Sequence, residues 1–270
     1  MGSYSEHISS VQNAKIKNVV LLQKKFSARK EQQLIVIEGI KELGMAVHAG
    51  FEIDTLFVCF DVVKDRHETK EVVAAIEAEK VISVTVEVFA KMAYREDSGG
   101  VLALAKPKYL ALEAIGLGGN PLVLVLDGVE KPGNLGAVLR TMDAVAADVL
   151  IVCDTQTDIF NPNVIRSSIG CVFNKQIIVC SSEEAIAWLR KNDIRIFAAA
   201  LQTDLFYHEA DFRQASALVF GTESTGLTTA WLQTADAIIK IPMLGKIDSL
   251  NVSNSVAIMA YEAKRQRNFI

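Results

Sequence analysis

Six apolar runs in the second half of the chain, at residues 122–126, 149–153, 176–180, 195–199, 217–220 and 237–241, constrain the fold more than any other feature. They are short and apolar almost throughout, and most of the segments between them show helical spacing. A strand with one wet face alternates polar and apolar residues, so a run without alternation reads as buried on both faces. Strands joined through helices cannot pair as tight hairpins, and they lie side by side in the same direction. The pattern predicts an α/β domain over residues 121–270, with a mainly parallel six-stranded sheet and helices on each side. No internal repeat or low-complexity tract interrupts it.

Open α/β sheets bind ligands at the carboxyl ends of their strands. Three such ends here carry more polar chemistry than a turn requires. The first follows Asp127-Gly128-Val129-Glu130 and reads Lys131-Pro132-Gly133-Asn134-Leu135-Gly136-Ala137-Val138-Leu139-Arg140. Pro132-Gly133 predicts a turn, Asn134 is suited to cap, and Leu135, Val138, Leu139 and Met142 predict a buried helix face. Gly136 and Arg140 are four apart and share one side of that helix. A glycine one turn before an arginine leaves room for a phosphate or sugar to reach the guanidinium. The competing reading pairs Arg140 with a neighbouring acid such as Asp143.

The second end is Gly221-Thr222-Glu223-Ser224-Thr225-Gly226, a polar turn between a strand and a helix. It is no nucleophile elbow, because Ser224 lacks the glycine two residues before it. The third runs from Ile241-Pro242-Met243 through Ser249-Leu250-Asn251-Val252-Ser253-Asn254-Ser255. Pro242 stops its strand by removing a ladder donor. Asn251 or Ser253 is suited to cap the following helix, whose apolar positions are Val252, Val256, Met259, Ala260 and Ala263.

Ahead of this domain, residues 1–106 predict a smaller α/β unit. A helix spans 13–30, with Ile16, Val19, Val20 and Phe26 as its apolar side. Strands at 34–37, 55–60, 81–86 and 101–105, helices at 39–48 and 70–80, and a turn at 96–100 complete it. No acid interrupts the cations between Lys15 and Lys30, which is lopsided for a solvated helix face. Lys24, Lys25, Arg29 and Lys30 are therefore candidates for phosphate contact. Residues 107–120, rich in glycine and proline, form the expected linker. Its Gly116-Leu117-Gly118-Gly119-Asn120-Pro121 does not spell the dinucleotide fingerprint and precedes its strand, which counts against a nicotinamide oxidoreductase.

The formal net charge of -4 argues against a protein that coats nucleic acid through bulk charge, although a local basic patch remains open. The four cysteines include no C-x-x-C pair, and Cys59, Cys153 and Cys180 sit in or beside apolar runs. Buried thiols in a reducing compartment are expected rather than metal ligands or disulfides. Residues 1–10 lack the apolar core of a signal peptide, and no run reaches membrane-spanning length, so a cytoplasmic protein is expected.

Taken in order, the three strand ends resemble the SpoU/TrmH family of the SPOUT superfamily, methyltransferases acting on ribose 2′-hydroxyls of RNA. Asn134-Leu135-Gly136 through Arg140 looks like the first motif of that family, Gly221-Thr222-Glu223 through Gly226 its second, and Ile241-Pro242-Met243 through Ser253 its third. The first unit, with its basic helix and Glu38-Gly39, is similar to the L30e-like substrate-binding domain often fused ahead of it. The resemblance implies a C-terminal trefoil knot, a homodimer whose active site is completed near the partner chain, and no metal. It implies S-adenosyl-L-methionine as cofactor, contacted by Gly221, Ile241 and Leu250 with Met243 and Ser253 nearby. Asn134, Arg140, Glu223, Ser249 and Asn251 would line the reaction site, and the general base could be a substrate phosphate, Glu223 or a deprotonated Arg140. Lys131, where an acid often precedes the proline, and Ser255, where alanine is common, depart from the pattern. Ribosomal RNA is the expected substrate, with transfer RNA as the alternative. An RNA-binding module without catalysis is the rival from another class, opposed by the joint presence of the five reaction-site residues.

Overall fold

The structure, a computed structural model, describes residues 4–63, 66–94, 99–129, 131–155 and 157–269. In chain order the first part contributes β1 (Glu6–Ile8), α1 (Ala14–Lys24), α2 (Phe26–Gln32), β2 (Ile35–Glu38), α3 (Ile40–His48) and β3 (Ile53–Val58). It continues through α4 (Arg66–Ala74), β4 (Val81–Val84), α5 (Val86–Met92) and β5 (Val101–Ala105). Then follow β6 (Leu122–Asp127), α6 (Pro132–Ala144), β7 (Val149–Cys153), α7 (Pro162–Ser167), β8 (Gln176–Cys180) and α8 (Ser182–Lys191). Last come β9 (Arg195–Ala199), β10 (Ser216–Phe220), α9 (Thr229–Thr234), β11 (Ala237–Ile239) and α10 (Val252–Gln266). No helix among the described residues is long and apolar enough to cross a membrane.

The chain divides into two compact units. The first comprises Met1–Lys108 together with Asp158–Asn174, and the second Tyr109–Thr157 with Lys175–Ile270. The first division falls within the expected linker. The return of 158–174 to the first unit has no counterpart in a reading with one linker.

The first unit holds a five-stranded sheet in the order β1-β4-β3-β5-β2. β1, β4 and β3 are parallel, while β5 runs antiparallel to β3 and β2. Its core gathers Ile16, Val19 and Leu22 from α1, Phe57 from β3, and Val88, Phe89 and Met92 from α5. Several expectations are corrected here. The helix expected over 13–30 is two helices, because Lys25 is extended, and the freed carbonyls of Leu22 and Gln23 accept from the Arg29 guanidinium instead. Phe26, placed on the apolar side by spacing, is 47% exposed after that break. The strand expected to reach residue 86 ends at Val84, and the Thr85 hydroxyl caps α5 by accepting from the Val88 N–H. The turn expected at 96–100 lies partly outside the described residues.

The second unit holds a six-stranded sheet, order β11-β9-β10-β6-β7-β8, and every pairing in it is parallel. All residues of β6, β7 and β10 are buried, as unalternating strands require. α10 packs on α6 and β10 through Val252, Val256, Met259, Ala260 and Ala263, all buried. The larger of these, Val252, Val256 and Met259, each contribute about 1.5–3 kcal/mol through burial. The end of α10 is fastened by Arg267, which is 7% exposed and donates to the carbonyls of Asn120, Phe212 and Gln214.

Candidate active site

β9, β10 and β11 lie side by side, and the segments leaving their carboxyl ends enclose a cavity of about 440 Å³. Its walls come from residues 199–202, 220–227, 232, 239–241, 243, 248–250, 252, 255 and 259. That volume falls within the roughly 300–1,000 Å³ of small-molecule sites. The tightest wall is Thr222–Gly226, closed by reciprocal bonds in which each N–H donates to the other residue's carbonyl at 3.2 and 3.0 Å. Gly226 has φ +70°, a conformation glycine adopts without penalty. A Cβ on Gly221 would stand 2.2 Å from the Gly226 backbone, so only glycine fits beneath this turn.

The three strand ends meet at Glu223. Its carboxylate accepts from Asn251 Nδ2 at 2.6 Å and Asn134 Nδ2 at 3.2 Å, and pairs with Lys131 Nζ at 3.1 Å. The Val252 N–H, the first amide of α10, lies close enough to favour its charged form. These donors, Lys131 foremost, hold the Glu223 carboxyl below the ordinary carboxylate range. Asn251 caps α10, its Oδ1 accepting from the Ser253 N–H at 3.0 Å and the Ser253 hydroxyl at 2.6 Å. Asn134, suited by sequence to capping, lies inside α6 instead, because Pro132 occupies the first turn and Lys131 the cap position.

The site residues expected from the sequence distribute as follows. Gly221, Ile241, Met243, Leu250, Glu223 and Ser249 line the cavity. Asn134 and Asn251 reach its rim through their bonds to Glu223. Ser253 is committed to the Asn251 cap and stands outside the lining. Arg140 is exposed on α6 and outside the lining, and it has no hydrogen-bond or ion-pair partner among the described residues. The acid weighed as its partner, Asp143, is taken by Lys175 Nζ at 2.6 Å. The guanidinium therefore stays open to a ligand.

Two contributors escaped the sequence reading. Asp127, 2% exposed at the end of β6, accepts from the Thr228 N–H at 2.8 Å and so anchors the exit of the Glu223 turn. Its signal was an acid ending an apolar run. Lys131 was noticed only as a departure, yet it is the cation paired with Glu223.

In the first unit the basic cluster separates. Lys24, Lys25 and Lys30 are exposed. Arg29 is 4% exposed, its Nε 2.7 Å from Asp158 Oδ2 and its Nη1 2.6 Å from the Leu22 carbonyl. A guanidinium enclosed in this way has no edge left for a phosphate, so the expectation for Arg29 is corrected to a structural role.

Residues 121–261, more than half of the chain, match the model of the SpoU rRNA Methylase family. The chain belongs to that family. Residues 13–103 match the MRM3-like substrate binding domain. Among solved structures, a crystal structure of an RNA 2′-O ribose methyltransferase is 36% identical, with a TM-score of 0.85 covering 97% of this chain and 99% of that one. An AdoMet-bound rRNA methyltransferase from Sinorhizobium meliloti is 28% identical, with a TM-score of 0.87 over 96% and 97% of the two chains. The 23S rRNA (uridine(2479)-2′-O)-methyltransferase of Streptomyces viridochromogenes is 27% identical over 86% of this chain and 83% of its own length. The six-stranded parallel sheet and the smaller unit ahead of it are thus those of the SpoU methylases. All four cysteines are free, and three of them, Cys59, Cys153 and Cys171, are buried.

Proposed function

We propose that this protein transfers a methyl group from S-adenosyl-L-methionine to a ribose 2′-hydroxyl of ribosomal RNA. The observation that carries the reading is the convergence of all three motif loops on one cavity through the Glu223 carboxylate. The residues present fit the cofactor. The cavity has a suitable volume, a wall where no Cβ is tolerated, and hydroxyls from Thr222, Ser249 and Ser255 among its lining groups. Bound there, S-adenosyl-L-methionine supplies a methyl group already activated by its sulfonium.

The protein's part is alignment and charge. Holding a ribose oxygen in line with the methyl group can lower the barrier by up to about 7–11 kcal/mol. Arg140, exposed and unpaired among the described residues, holds the neighbouring phosphate and favours negative charge developing on the 2′ oxygen. Glu223 is the anchor that fixes Asn134 and Asn251 and, through the Asn251 cap, the start of α10. Three donors commit the Glu223 carboxylate to holding the loops, and its depressed pKa makes it a poorer base than an ordinary glutamate, so its part is structural. The 2′ proton is assigned to the substrate phosphate or to Arg140, although a guanidinium is poorly suited to that task.

The first unit, to which residues 1–106 contribute most, docks the RNA through Lys24, Lys25 and Lys30, and residues 107–120 lead from it to the methylase domain. The active form is a homodimer. Leu244 and Ile247, 98% and 62% exposed in the stretch leading into α10, and Tyr261 on α10 at 48%, are apolar surface that a second copy would cover. The free thiols fit a cytoplasmic location.

Incubation with methyl-labelled cofactor and, in parallel, protein-free ribosomal RNA and transfer RNA, followed by mapping of the modified nucleotide, tests the reading. One labelled ribose in ribosomal RNA is expected. Label on transfer RNA alone, or on a base, would overturn it.

A further inference from the structure

Tyr94 stands just after α5 with 65% of its surface exposed, and its ring is not bare on both faces. The Arg166 guanidinium lies over it, 4.5 Å from the ring centroid. Arg166 is half-buried and donates through Nη2 to Asn163 Oδ1 at 2.7 Å, so it is held in place from behind. The Tyr94 backbone is held too, its N–H shared between both Glu38 carboxylate oxygens at 3.1 and 3.0 Å. A half-buried guanidinium thus backs one face of a fixed aromatic ring while much of that ring stays in water.

The recess beside the ring holds one cation, Arg166, and one acid, Glu38. Gln23, Tyr94, Asn163 and Arg166 line this recess of about 20 Å³, room for roughly one water and no more. Gln23 also donates to the Met92 carbonyl, which sets the end of α1 against the end of α5. Lys24 and Lys25, the next two residues, are exposed and have no ion-pair partner among the described residues. Tyr94 and Arg166 are 72 positions apart, and Arg166 reaches this unit only because 158–174 packs within it.

We propose that Tyr94, backed by Arg166 and flanked by Lys24 and Lys25, is a stacking platform for one unpaired RNA base. The base lies on the open face of the ring, and the two lysines take its flanking phosphates. Aromatic rings stack bases of every type, and a guanidinium stacked on the far face strengthens the arrangement by cation–π attraction. Duplex RNA hides its base faces, so the platform selects a single-stranded or bulged nucleotide. This deepens the proposed function by naming the RNA element that the first unit grips.

The test uses the full-length protein, fluorescein-labelled oligouridine, and the same strand paired with oligoadenosine, with anisotropy titrations at low salt. Tyr94→Ala is expected to weaken oligouridine binding about tenfold while binding to the duplex changes little. Tyr94→Phe, which keeps the ring, is expected to stay within about twofold of wild type. Thermal melting of both variants controls for folding. Undiminished oligouridine affinity in Tyr94→Ala, equal loss on single strand and duplex, or no oligouridine binding by wild type would each overturn the platform. Methyl incorporation into ribosomal RNA by wild type is measured alongside. If incorporation fails while the Tyr94 pattern holds, the reaction is misassigned and the platform stands; if it succeeds while the pattern is absent, only the platform falls.

Discussion

Two arginines show how differently the two units use one kind of side chain. Arg29, in the first unit, came out of the sequence as an RNA contact, yet it is enclosed, paired with Asp158 and bonded to the end of α1. Arg140, in the second, has an acid three residues away but is exposed and unpaired among the described residues, because Lys175 has taken that acid. A buried guanidinium must spend its donors on protein groups to offset desolvation. An exposed one without a partner keeps them for a ligand. Position in a charge run therefore says less about a cation's role than the acids that tertiary structure brings to it.

That contrast can be broken most severely at Arg140. Arg140→Ala is expected to lower kcat by about 10²–10³-fold, the range for losing one stabilising donor, while calorimetry shows cofactor binding unchanged. Equal loss of binding would make Arg140 a structural residue like Arg29. The next largest effect is expected from Gly221→Ala, whose new Cβ meets backbone at 2.2 Å. Cofactor affinity should fall at least about tenfold, a loss of 1.4 kcal/mol, in the same titration, because the Thr222–Gly226 turn must shift.

On the first unit, Lys24→Glu with Lys25→Glu should weaken RNA binding and reduce the slope of log affinity against log salt by about 1–2. An unchanged slope would place both lysines among solvated residues with no ligand. Asn251→Ala removes a helix cap, a loss of about 1 kcal/mol, and a melting midpoint lower by roughly 2–4 °C would register it. The smallest expected effect is that of pH. Glu223 has a depressed pKa, so its bonds persist above the ordinary carboxylate value and are given up only as pH falls through the lowered one. Rate profiles between about pH 5 and 8 should show no limb that Glu223→Gln removes. A limb near neutrality that vanishes in Glu223→Gln would restore the glutamate as the base.

Where structure was local, the sequence was easy to read. The strands β7, β8 and β9 occupy their expected residues, and Asn251 caps the helix whose apolar positions follow from spacing. A run buried on both faces carries its own signature, and so does a cap next to an apolar stripe. Long-range placement left no such trace. β1 is three residues with polar Glu6 and His7, and only its pairing with β4, opposite Ile82 and Ser83, makes it a strand. The segment 158–174 looks like any helical link between β7 and β8, since Phe160, Val164 and Ile165 need an apolar neighbour without naming which. The break at Lys25 depended on Arg29 turning back to the carbonyls of α1, which spacing cannot foresee. In the candidate site, the loops were visible one by one, but the shared carboxylate joining them appeared only in three dimensions.

α10 is pinned at both extremities: Asn251 caps its first turn beside the Glu223 carboxylate, and the Arg267 guanidinium ties its end to the carbonyls of Asn120, Pro121, Phe212 and Gln214. Sliding the helix along its axis would rupture both moorings together. The stretch from Pro242 to Leu250 carries, among the described residues, no hydrogen bond beyond that of Ser249 to Asp248, so a small molecule entering the cavity meets least resistance there, where Leu244 is 98% exposed in the single chain.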